Sequence, residues 1–161
     1  MTKQQLRKQF IAKRQGLSVV EYDEMNQLLL QQFQQLDLTV VGCIHLFLPI
    51  RARKEPDTFL IREWLKQHQP HIKVVFPKAD FDTHTMQSFA DDDALQLAVT
   101  ACDIPEPVTG HEVAAAEIDL MIVPLLAFDE RGYRVGYGKG FYDRFMAQCK
   151  PGTKFIGLSF F

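Results

Sequence analysis

Residues 128–145 read FDERGYRVGYGKGFYDRF, with Gly132, Gly136, Gly138 and Gly140 set among Arg131, Arg134, Lys139, Asp143 and Arg144. Glycines let a backbone approach an anion closely and adopt positive φ. A helix starting near Gly140 would add unpaired N–H groups and a partial positive charge, which suit phosphate. Lys139 stands between two glycines. An ammonium about 4 Å from a phosphate charge gains roughly 4 kcal/mol at an effective dielectric near 20. Asp143 falls in the first turn of that helix. There it either compensates the helix dipole or supplies a carboxylate to Mg²⁺, which takes one or two of them when bound to nucleotide. Two familiar phosphate loops are excluded. A Walker A loop needs Ser or Thr after Gly-Lys, and here Gly140 follows. The dinucleotide fingerprint fails because Gly136-x-Gly138 leads to Phe141.

A second basic pair lies at the start of the chain. Lys3 and Arg7 are four apart, so on a helix they share a face. Like charges at that spacing cost a few tenths of a kcal/mol, so an anionic partner would suit them; a solvated basic face is the alternative. Other candidates are weaker. His68 and His71 are separated by the helix-breaking Pro70, which argues against a metal pair. His45, inside an apolar run, reads as a hydrogen-bonded core residue. His84 and His111 fall in poorly patterned segments. Asp91, Asp92 and Asp93 read as a solvated loop.

The elements that must position these groups follow from periodicity. Residues 2–14 read as a helix capped by Thr2, with Leu6 and Phe10 on one face. Ser18 and Glu21 form a capping box for a second helix, whose Gln-rich stretch 27–35 reads as a solvated face. TVVGCIHLFLPI is a buried strand. Asp57 caps a helix running to about His68. IKVVFPK is a second buried strand and TMQSFA a weaker one. Residues 91–117 read as an irregular crossing, marked by Pro105, Pro107 and Gly110. IDLMIVPLLAF is a third buried strand. Phe141, Phe145, Met146 and Cys149 form the stripe of a short helix stopped by KPG, and KFIGLSFF is a last strand. Helices alternating with doubly buried strands imply an α/β fold: three αβα layers around a mostly parallel, Rossmann-like sheet. The glycine loop then lies at the carboxyl edge of the strands, where such folds bind ligands.

Composition sets the bounds. The 161 residues suit one domain, with 47% apolar and 24% charged residues. A net charge of −2 gives no overall basic field for nucleic acid. Cys43, Cys102 and Cys149 form no CxxC pair and fit a reduced, cytoplasmic setting, with Cys43 and Cys149 as small core residues. MTKQQLRKQF has no apolar h-region, and no apolar run reaches the length of a membrane span.

VPLLAFDERGYRVGYGKGFYDRF closely resembles the signature of 5-formyltetrahydrofolate cyclo-ligases. KQQLRKQ resembles that family's Lys-x-x-x-Arg opening, and FLPIRARKEPDT its strand-loop ending in Glu-x-Asp/Glu-Thr. The resemblance runs from the first helix to the last residue and is loose at 78–117. It implies an ATP-dependent ring closure of 5-formyltetrahydrofolate to 5,10-methenyltetrahydrofolate, with release of ADP and phosphate. The formyl oxygen would be phosphorylated by ATP, and N10 would then attack the activated carbon. Such chemistry is mostly positioning and charge stabilisation.

Carried over by position, Lys3, Gln4, Gln5, Leu6 and Arg7 would contact ATP, chiefly through Lys3 and Arg7. Arg134, Val135, Gly136, Tyr137, Gly138, Lys139, Gly140, Phe141 and Tyr142 would wrap the phosphates. Lys139 and Arg144 would act in catalysis, Asp143 would hold Mg²⁺, and Leu48 and Glu55 would contact the folate. Tyr137 stands where many relatives have Arg, so Arg134 or Arg144 would supply charge there. The loop RARKE is longer than in some relatives, which places Glu55 more firmly than Leu48. The resemblance also implies roughly 25–30 further residues in the family, including a His-Asp pair whose Asp would be a second carboxylate for the metal. The chain is thus read as one cyclo-ligase domain, residues 1–161, short of that tail, and as a monomer. Two other readings stay open: a non-catalytic nucleotide- or folate-binding protein, and a sugar-phosphate isomerase of similar architecture. For an isomerase, Asp143 and the Lys3/Arg7 pair would be superfluous.

Overall fold

The computed structural model describes residues 1–100 and 103–161; Cys102 lies outside the described residues. Helix α1 (Lys3–Gln15) begins at a capping box in which Thr2 accepts from the Gln5 N–H and the Gln5 side chain returns to the Thr2 N–H. The expected Ser18–Glu21 box opens α2 (Val19–Gln34). Strand β1 (Cys43–His45) is shorter than its apolar run suggested. Thr39 is tied into a turn by Asp37, while Leu46, Phe47 and Leu48 are buried beyond the strand's end. Helix α3 (Thr58–His68) starts at Asp57, whose carboxylate accepts from the Phe59 N–H. β2 (Lys73–Asp80) and β3 (Thr85–Ala90) form an antiparallel hairpin.

The stretch read as an irregular crossing holds more order than expected. β4 (Gln96–Val99) pairs with β5 (Pro105–Thr109), and β6 (Glu112–Val113) adds to β3. Its strands are short and carry two prolines, which restrict a strand to edges and blur its pattern. β7 (Leu120–Pro124) precedes a small hairpin of β8 (Ala127–Phe128) and β9 (Arg134–Val135). Helix α4 (Phe141–Met146) has only six residues and stops before Cys149. β10 (Lys154–Leu158) closes the chain.

The main sheet runs β10-β7-β1-β2-β3-β6. Its first four strands are parallel; β3 runs antiparallel to β2, and β6 antiparallel to β3. Side-chain alternation with period two splits the core between its faces. Ile44, Val74, Phe76, Leu120 and Ile122 pack with Phe33 of α2 and Ile61 and Leu65 of α3. Cys43, Val75, Met121 and Val123 pack on the other side with Phe145 and Met146 of α4. The expected three-layer α/β architecture with a mostly parallel sheet is therefore the observed one.

Two local expectations fail. Asp91 is not solvated: its side chain is 4% exposed and holds Arg62 at 2.5 and 2.7 Å and Lys66 at 3.3 Å. Burial alone would raise its pKa, but the Arg62 hydrogen bonds hold it below the usual carboxylate range. His45 is fully buried and, among the described residues, has no hydrogen-bond partner on either ring nitrogen. It packs between the rings of Tyr142 and Phe145 instead. Burial lowers its pKa to about 3, so the ring is neutral.

Candidate active site

A cavity of about 650 Å³ opens at the carboxyl edge of the parallel strands. Four parts of the chain wall it, and local sequence explains each. The first is α1, whose residues 3, 7, 11 and 15 share one face, so Lys3, Arg7, Ile11 and Gln15 line the cavity. The second is the segment after β1, which brings Leu48 to the wall and, through the 3-10 turn Arg51–Arg53, Glu55. Lys54 closes that turn in the left-handed conformation, φ 46°.

The third part is the glycine loop. Arg134, Tyr137, Lys139, Phe141, Tyr142 and Asp143 all face the cavity, together with Val135, Gly136, Gly138 and Gly140. Gly138 has φ 93°, and a Cβ there would meet the Arg7 guanidinium at 3.0 Å. Glycine thus serves both the turn and the close passage of Arg7, whose Nε donates to the Gly136 carbonyl at 2.8 Å. Because α4 has only six residues, its dipole is a small contributor. Backbone N–H groups and Lys139 are what the loop offers an anion.

The fourth part was not foreseen. Phe81 and Met86, from the β2–β3 turn and strand, and Ile104, Pro105 and Glu106, at the start of β5, complete the wall. Phe81 is 56% exposed and meets Phe141 edge to face at 5.2 Å. The only sequence cue was one aromatic in a polar turn, and the turn's proximity to the glycine loop is a tertiary fact.

Four candidate residues do not line the cavity. Gln4, Gln5 and Leu6 lie off the facing side of α1, and Gln5 serves the capping box. Arg144 is exposed and spans two backbone carbonyls, donating to His84 at 2.9 Å and Lys139 at 2.8 Å. It pins the glycine loop to the β2–β3 turn, and of Lys139 and Arg144 only Lys139 faces the cavity.

Glu55 is 3% exposed. Its carboxylate accepts from the Ile50 N–H at 2.7 Å, while the Tyr22 hydroxyl donates to its carbonyl at 2.6 Å. Burial raises its pKa, opposed by that N–H, by the Tyr137 hydroxyl and by Arg14 and Arg53. At the other end, Asp143 is 75% exposed and paired with Arg134 at 2.5 Å. Among the described residues no three His, Cys, Asp or Glu side chains cluster as a metal cage. The single exposed carboxylate of Asp143 fits a Mg²⁺ carried mainly by nucleotide phosphates.

The model of the 5-formyltetrahydrofolate cyclo-ligase family matches residues 1–160. A 5-formyltetrahydrofolate cyclo-ligase of Mycoplasma pneumoniae is 32% identical over 162 aligned residues, covering 99% of this chain and 86% of that protein. The solved structure of a 5,10-methenyltetrahydrofolate synthetase from Mycoplasma pneumoniae superposes with a TM-score of 0.77 at 28% identity, over 98% of this chain and 84% of that one. The 5,10-methenyltetrahydrofolate synthetase of Aquifex aeolicus does so with a TM-score of 0.76 at 27% identity, over 99% and 83%. A match along nearly the whole chain, in sequence and in fold, makes this protein a member of the 5-formyltetrahydrofolate cyclo-ligase family, a family of ligase-type enzymes.

Proposed function

We propose that the protein closes 5-formyltetrahydrofolate to 5,10-methenyltetrahydrofolate at the expense of ATP. The observation that carries this is convergence. Lys3 and Arg7, the glycine loop with Lys139, and buried Glu55 come from distant parts of the chain and wall one cavity. One end offers cations and backbone N–H groups; the other offers a buried carboxylate beside apolar Leu48.

In this reading Lys3, Arg7 and Lys139 hold the triphosphate. Glu55 accepts N–H groups of the pterin, and Leu48 lies against its ring. The γ-phosphoryl passes to the formyl oxygen and ADP leaves. N10 attacks the formyl carbon and loses its proton. Phosphate departs with the oxygen, leaving the methenyl bridge. The transfer develops charge on the phosphoryl oxygens, which Lys139 and the loop N–H groups are placed to stabilise. Asp143 would hold Mg²⁺, which supplies charge neutralisation on the phosphates.

The test follows the absorbance band of the methenyl product with and without Mg-ATP. ATP-dependent conversion is expected. Its absence would favour a non-catalytic binding protein, which equilibrium binding of either ligand would then reveal.

A further inference from the structure

One buried charge behind the cavity wall has no part in the scheme above. Arg14, in the last turn of α1, is 3% exposed. Arginine is almost never fully buried without partners. Its Nη1 donates to the Tyr137 hydroxyl at 3.0 Å, and its Nη2 donates to the Leu125 carbonyl just beyond β7. Tyr137 is held on its other side by Arg53, whose guanidinium lies over the ring at 4.9 Å. The Tyr137 hydroxyl faces the Glu55 carboxylate and favours its ionised form.

Arg7 and Arg14 are seven residues, or two turns, apart on one helix. They hold neighbouring residues of the glycine loop: Arg7 the Gly136 carbonyl, Arg14 the Tyr137 hydroxyl. Helix α1 therefore joins the phosphate end of the cavity to its carboxylate end through a rigid element about 10 Å long between these two side chains.

We propose that Arg14 is a positioning residue: by holding the Tyr137 hydroxyl it orients Glu55 for the folate ring. This rests on the reading of Glu55 as the pterin acceptor. The groups facing Glu55 are Arg14 from α1, Tyr22 from α2, Arg53 from the preceding turn, Tyr137 from the glycine loop and Tyr142 from α4. Arg14 and Arg53 are the cations among them. Arg53 is exposed, whereas Arg14 is buried, so the field of Arg14 is the less screened. Tyr137 occupies the loop position that faces both buried charges, and because its hydroxyl accepts from the arginine its own proton is left free for the carboxylate.

The test compares wild type with Arg14→Met, Arg14→Lys, Tyr137→Phe and Glu55→Gln. Two readouts are used: steady-state kinetics in 5-formyltetrahydrofolate and in ATP across pH, and a carbon-13 titration of the Glu55 carboxyl in the free protein. Arg14→Met is expected to raise KM for the folate about tenfold and leave KM for ATP within about twofold. It should also move the Glu55 titration up, because a nearby opposite charge favours the ionised form. The folate KM should accordingly begin to rise at a higher pH as pH falls. Arg14→Lys restores part of both effects. Tyr137→Phe, which leaves the Leu125 anchor in place, reproduces the folate effect should Arg14→Met not fold.

A Glu55 titration unchanged in both Arg14→Met and Tyr137→Phe would overturn the proposal. So would a folate KM that rises in step with that for ATP. Should wild type not convert the folate while the Glu55 titration still shifts, the coupling stands and the folate reading falls. Should Glu55→Gln raise the folate KM while Arg14→Met does not, the reading stands and the coupling falls.

Discussion

At the scale of single residues, Lys139, Gly138 and His45 carry the sharpest consequences. Lys139 is exposed at the cavity between two left-handed glycines, so its side chain has no packing role. Lys139→Ala is expected to lower turnover about a hundredfold or more, the scale of losing one charge-stabilising donor, with Tm within a few degrees of wild type. A mutant that unfolds instead would make this lysine structural. At Gly138 a methyl group would strain φ and press on Arg7. Gly138→Ala should raise KM for ATP with little change in the folate KM, and equal loss for both substrates would contradict that geometry. His45 affects stability rather than catalysis. Its folded pKa, about 3, lies below the ordinary value near 6.5. The unfolded chain therefore binds the extra proton first, and stability is lost as pH falls through that window. The full difference is roughly 4–5 kcal/mol by pH 3. Comparing urea unfolding of wild type and His45→Leu between pH 7 and 3 measures it. The variant should lose less stability over that range, and parallel slopes would refute the assignment.

At the scale of elements, α1 is the part whose local and functional roles coincide. Its capping box closes the first turn, where Lys3 stands, so the cap and a cavity residue depend on each other. Thr2→Ala removes a cap worth about 1 kcal/mol. Because Thr2 is exposed at the end of the helix, the change frays the first turn without unfolding the domain. Amide exchange of residues 3–6 should accelerate and KM for ATP rise severalfold, with Tm nearly constant. A large fall in Tm would show that the turn is part of the global folding unit. The glycine loop is ordered by neighbours as much as by its own sequence. Arg7 holds Gly136, Arg14 holds Tyr137, and Arg144 ties Lys139 to the β2–β3 turn.

At the scale of the whole molecule, the cavity lies where β1 and β7 part into loops, and ligands there bridge α1, the glycine loop and the segment after β1. Binding only the folded state, Mg-ATP at about a hundred times its Kd should stabilise by about 2.7 kcal/mol. For a chain of this size that is a Tm rise of roughly 5–10 °C, readable by differential scanning fluorimetry. Mg-ATP and 5-formyltetrahydrofolate together should raise it further, and the absence of any shift would remove the nucleotide from this site.

What the sequence by itself determined was local: the Thr2 cap, the Ser18–Glu21 capping box, the Asp57 cap, the buried parallel strands, and a glycine loop open to an anion. These follow from backbone preference and from periodicities of two and 3.6, which neighbours in sequence dictate. The Lys3/Arg7 face, Glu55 and the loop could be named from pattern and resemblance. That they wall one cavity could not be read from either. Only the tertiary structure decided the order β10-β7-β1-β2-β3-β6, the burial of Asp91 beneath Arg62, the partnerless His45, and the placement of Arg14 against Tyr137. Each depends on pairing residues far apart in the chain, and no local period encodes which distant partner a strand or a buried charge will meet.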